Sequence, residues 1–144
     1  TDPTEPVSRY NLEHLPVRVA RVRMTLEAWE PVNDDEDPGQ FTWEGFQDTE
    51  YNHATFQLMQ ELQARGTQII ATSWDVPDWI VSDPSKSTQR FVPYENYPEL
   101  VEMVAAWLVR ARDEYGVEPD YVSFNEPDVG AYVSLAPFEA FRHR

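Results

Sequence analysis

Gly66-Thr67-Gln68-Ile69-Ile70-Ala71-Thr72-Ser73-Trp74-Asp75-Val76-Pro77-Asp78-Trp79 is the stretch that decides the fold. Residues 50–65 before it carry Phe56, Met59 and Leu62 on one helical face, and Gly66 stands where such a helix ends. The apolar run Ile69-Ile70-Ala71 then predicts a buried strand over 67–72. Beyond it a polar, aromatic loop extends through Asn96, with prolines and serines that argue against regular structure. The connection into the strand is short and the connection out of it is long.

The same unit recurs on both sides. Upstream, Val17 to Leu26 alternates Val17, Val19, Arg21 and Arg23 against Arg18, Ala20, Val22 and Met24, which predicts a strand with two unlike faces. A helix tail over 8–15, closed by Pro16, precedes it, and a long loop from Glu27 to Asp48 follows. Downstream, Pro98 occupies the favoured first position of a helix with Leu100, Val101, Val104, Leu108 and Ala111 on one face, ending at Gly116. A short β-rich stretch from Asp120 then runs into Asn125-Glu126-Pro127, and a further helix is expected from about Pro137.

Strands separated by helices of crossover length are parallel, and such crossovers are right-handed. An open doubly wound sheet and a closed eight-stranded barrel are the two candidates. No glycine-rich phosphate loop favours the first, and long loops after strands with short turns before them favour the second. The expected fold is therefore α/β, a fragment of a (β/α)8 barrel with parallel strands and crossover helices. Residues 1–144 form one partial domain in this reading, and its chemistry belongs at the strand C-terminal ends.

Composition narrows the partners. The chain has 144 residues, 41% of them hydrophobic, which is enough for one core. It carries 26 acidic against 11 basic residues, a formal charge of −15, and Lys86 is its one lysine. Neither nucleic acid nor an anionic membrane surface suits that charge, whereas a neutral carbohydrate does. With no cysteine there is no disulfide or thiolate metal site to expect, and no apolar run approaches the roughly 20 residues of a spanning helix.

Three segments, in order, resemble the retaining glycoside hydrolases of clan A, most closely those of glycoside hydrolase family 30. Arg21-Val22-Arg23-Met24 resembles the second strand of that TIM barrel, Ser73-Trp74-Asp75-Val76-Pro77-Asp78-Trp79-Ile80 the segment after the third, and Phe124-Asn125-Glu126-Pro127 the acid/base motif after the fourth. The resemblance covers about residues 17–128. It implies strands beyond both ends of the chain and a nucleophilic glutamate after the seventh strand, outside this sequence.

The roles have a physical basis. A glycosidic oxygen leaves poorly until it is protonated, so a carboxylic acid must stand beside it, and Glu126 is the candidate. Asn125 can hold a sugar hydroxyl, although strict alternation would point it away from Glu126. Arg21 can hold a carboxylate by a two-pronged contact; without the nucleophile, water or Glu126 would satisfy it. Trp74 and Trp79 offer sugar-stacking faces or anchors for the loop, and Asp75 a ligand for substrate hydroxyls or a turn cap.

Plainer readings stand beside these. Asn125-Glu126-Pro127 also fits an ordinary turn, and Arg21 and Arg23 fit the charged face of an edge strand. The run Asp34-Asp35-Glu36-Asp37 lacks the spacing of a calcium loop and reads as solvated; Trp29 and Trp43 read as core or loop anchors. No metal and no cofactor is expected. The rival to a glycosidase fragment is a non-catalytic α/β carbohydrate-binding or interaction domain. Secretion is expected only because polysaccharides are met outside the cell.

Overall fold

A computed structural model of the chain describes residues 5–88 and 90–124, and the backbone alone of 131–133. Asn125, Glu126 and the helix expected from Pro137 lie outside these residues. The elements run α1 (Pro6–His14), β1 (Val19–Arg23), α2 (Leu26–Trp29), α3 (Glu50–Ala64), β2 (Gln68–Ser73), β3 (Arg90–Val92), α4 (Tyr97–Tyr115), β4 (Tyr121–Phe124) and β5 (Ala131–Val133). Short 3-10 turns occupy Trp43–Gly45, Asp78–Ile80 and Tyr94–Asn96.

The fold is mixed α/β. Strands β1, β2 and β4 form a parallel sheet in the order β1-β2-β4, with Arg21 opposite Ile70 and Ile70 opposite Tyr121. Helix α3 lies between β1 and β2 in the chain, and α4 between β2 and β4, as parallel pairing requires. The described residues make an open sheet, not a closed barrel.

One sheet face is covered by the two long helices. Val22, Ile69 and Ala71 are buried together with Phe56, Met59 and Leu62 of α3 and Met103, Trp107 and Ala111 of α4. The Phe56 and Trp107 rings meet at 4.6 Å. Polar groups tie the layer in place: buried Asn52 accepts from Thr25 Oγ1 at 2.6 Å and from Trp107 Nε1 at 3.4 Å, joining α3, α4 and the end of β1. Thr49 caps α3 by accepting from Asn52 N. Gly66 and Gly116 follow the two long helices with φ of 72° and 63°, a region where a Cβ is strained.

Several elements differ from the sequence reading. The first strand is confined to Val19–Arg23, and Leu26, its expected end, starts α2 inside what the sequence presents as loop. Helix α4 is turned on its axis. Val101 is 67% exposed, and Val104 and Leu108 are only partly buried, while Met103, Ala106 and Trp107 are in the core. Large Trp107 buries more apolar surface than Val101 could, and it sets the helix orientation. The loop expected to lack regular structure contains β3, which pairs in parallel with β5 in a second, two-stranded sheet.

Candidate functional site

The second face of the main sheet carries Val19, Arg21 and Arg23 of β1, Gln68, Ile70 and Thr72 of β2, and Tyr121 and Ser123 of β4, by the register of the pairs. Toward the strand C-terminal ends this face is polar. Thr72 Oγ1 and Ser123 Oγ lie 2.8 Å apart, and buried Thr72 sits between Arg23 and Ser123. Arg23 is ion-paired with Glu27 at the start of α2. Burial raises the Glu27 carboxyl above its ordinary value, and the nearby negative charge of Asp75 adds to this. Its own backbone and Arg23 pull the other way.

Arg21 and Trp74, from two different sequence segments, meet here. The guanidinium carbon lies 4.8 Å from the centre of the indole ring. Such a contact fixes both side chains and occupies one face of the ring, so a sugar could stack only on the other. The structure describes this contact of Arg21 with Trp74, while the one expected with Glu126 falls outside the described residues.

The segment after β2 is shaped by a residue that the sequence reading leaves unmarked. Arg90, 6% exposed on β3, donates from Nη1 to Asp75 Oδ1 at 2.7 Å and from Nη2 to Asp78 Oδ1 at 2.6 Å. Asp75 Oδ1 also accepts from Val76 N at 2.9 Å, while Ser73 Oγ donates to the Asp75 carbonyl at 2.8 Å. One oxygen of Asp75 is therefore held by the loop itself. Trp79 is half-buried and donates from Nε1 to the Glu30 carbonyl at 3.0 Å, an anchoring bond. Nothing in the sequence distinguishes Arg90 from other charged residues of a solvated loop. Its importance comes from folding the loop back on itself.

The acidic run is not a set of free ligands. Asp34 accepts from Asp35 N and Thr42 N, and Asp35 from Asp37 N and Thr42 Oγ1. Among the described residues no group of three or more acidic, histidine or cysteine side chains is arranged to hold a metal ion. Trp29 is fully buried and Trp43 lies at the surface under Arg110, whose guanidinium carbon is 4.9 Å from its ring.

No protein-family model matches the chain, and no curated protein matches it. Among solved structures it resembles SrfJ from Salmonella typhimurium, with a TM-score of 0.63 and 16% identity over 96% of this chain. The match covers 34% of SrfJ, so the chain spans about a third of that protein's length. At this identity the likeness is one of fold.

Proposed function

We propose that the chain is a sector of a (β/α)8 barrel from a retaining β-glycoside hydrolase. Glu126 is its general acid/base, Asn125 and Arg21 assist at the reacting sugar, and Trp74, Trp79 and Asp75 belong to the substrate-binding loop. The observation that carries the reading is that Arg21, in the middle of β1, reaches Trp74 directly after the C-terminal end of parallel β2, because barrel enzymes place their chemistry at such ends. The next strand toward β4's side of the sheet ends at Phe124, and Glu126 follows two residues later in sequence.

The open edges support the barrel as well. Tyr121, Val122 and Phe124 of β4 are exposed, and a groove lined by Leu108, Val109, Pro119 and Val122 separates this strand from α4. In a barrel the next strand and helix cover such a groove. β1 has no strand on its other side among the described residues. The nucleophile then lies on a strand beyond this chain, roughly 5 Å from Glu126 in the assembled site, and the 144 residues alone do not turn over substrate.

Hydrolysis of aryl β-glycosides by the intact protein, with the anomer of the first-formed sugar read by proton NMR, tests this. Release of the β-anomer supports a retaining enzyme. Release of the α-anomer, or carbohydrate binding without hydrolysis, refutes it.

A further inference from the structure

We propose that the acidic loop from Glu30 to Thr42 is a pH-operated flap, which stays packed against α4 while the buried carboxyl groups there are neutral and is released when these ionise. Such a flap is independent of the reaction proposed above. The core holds acids where apolar side chains are the rule. Glu30, at the end of α2, is 0% exposed, and Glu102, in the first half of α4, is 2% exposed. Among the described residues, no N–H or hydroxyl donor reaches Glu30 Oε2, Asn33 Oδ1, Glu99 Oε2 or either Glu102 oxygen, all of them buried.

Among the described residues, the charges that act on this cluster are acidic. Asp34 faces Glu30, Asp34 and Asp35 face Glu102, and Asp34, Asp35 and Asp37 face Glu99. On α2, Glu27 is turned to Arg23; further along α4, Arg110 is paired with Glu114 and lies over Trp29 and Trp43. From the segment after β2, the neutral Trp79 indole is bonded to the Glu30 carbonyl. An ionised carboxylate buried among acids with no cation beside it is strongly unfavourable. A neutral carboxyl is not, and its O–H can serve one of the orphaned acceptors, as between Glu102 and neighbouring Glu99.

Burial first, then the Asp34 charge and the other acids, push Glu30 and Glu102 up to about 8, with the backbone N–H of Asp34 opposing at Glu30; Glu99 is raised as well, again chiefly by burial. Above that range the loop and α4 carry facing like charges. The loop would leave as a unit, because Asp34 binds its two ends through Asp35 N and Thr42 N and packs where a Gly45 side chain would stand. Its departure loosens Trp79, which links the flap to the segment after β2.

Hydrogen exchange of the intact protein, followed by mass spectrometry and corrected for the intrinsic pH dependence, is the test. Peptides over 33–42 are expected to be protected at about pH 6 and to lose at least about tenfold in protection by about pH 9, while α3 peptides hold theirs. Glu30→Gln with Glu102→Gln, which mimics the neutral form, keeps the loop protected at both. Equal wild-type protection throughout, or the same loss in the double variant, overturns the proposal. Should that variant not fold, carboxyl carbon NMR of the wild type decides: Glu30 and Glu102 titrating at ordinary glutamate values overturns it, and titration far above them supports it. Restoration of the loop by calcium at high pH would assign the cluster to a cation and also overturn it.

Discussion

Removing the Arg90 guanidinium by Arg90→Met keeps most of the buried stem and deletes both of its ion pairs. Asp75 and Asp78 do not lose equally. The Asp78 side chain is 76% exposed and is rehydrated when its partner leaves, so that contact contributes less than about 1 kcal/mol. The Asp75 side chain is 29% exposed and faces a guanidinium that is itself buried, so its charge-assisted bond is worth about 2 kcal/mol, within the usual range for such bonds. The sum for Arg90→Met is about 2–3 kcal/mol of lost stability. Asp75→Ala should cost about 2 kcal/mol and Asp78→Ala under about 1, measured by urea unfolding of each single variant. Equal costs for the two aspartates would refute the assignment of the loop's anchorage to burial. So would an Arg90→Met variant as stable as the wild type.

Other perturbations test other parts of the fold. Asn52→Leu leaves the Thr25 hydroxyl and the buried Trp107 N–H without their acceptor and should destabilise by about 2–4 kcal/mol in denaturant unfolding, the long 3.4 Å bond contributing the smaller share. Gly45→Ala drives a Cβ into Asp34 Cβ, so the loop must shift; a loss of about 1–3 kcal/mol is expected, together with faster hydrogen exchange over 33–42. The carboxyls of Glu30 and Glu102 are raised in the folded state, which therefore binds more protons than the unfolded chain between their ordinary value of 4.5 and about 8. Their contribution to stability is fullest below 4.5 and is lost as pH rises through about 8, by up to about 1.4 kcal/mol per pH unit for each group. Glu102→Gln should flatten that slope in unfolding experiments across the same range.

What can be read from sequence follows from the range of the forces involved. Strand β2 is legible because Ile69-Ile70-Ala71 is apolar on both faces, and α3 because its core positions recur at helical spacing and a glycine follows. The orientation of α4 is not, since Val101 and Trp107 are both apolar, and only packing against Phe56 decides which of them faces the core. β3 gives no local signal because its three residues are strand only by virtue of partners some forty positions away. At the site, Arg21 and Trp74 stand out in their motifs and are in contact. Arg90 and the Glu30–Glu102 cluster do not stand out, because a charged residue in a loop or helix carries no local mark of burial.

The role of Glu126 is the centre of the functional account, and Glu126→Ala in the intact protein with added azide tests it most directly. Loss of the acid should lower kcat/KM for a glycoside with a poor leaving group by about 10²–10⁴-fold; substrates whose leaving group needs no proton should keep kcat/KM but lose kcat, because breakdown of the glycosyl-enzyme lacks its base. Azide, entering the space left by the carboxyl, should restore turnover of those activated substrates and give a β-glycosyl azide. Equal hydrolysis of poor-leaving-group substrates by the wild type and the Glu126→Ala variant, with no azide product, would contradict the account.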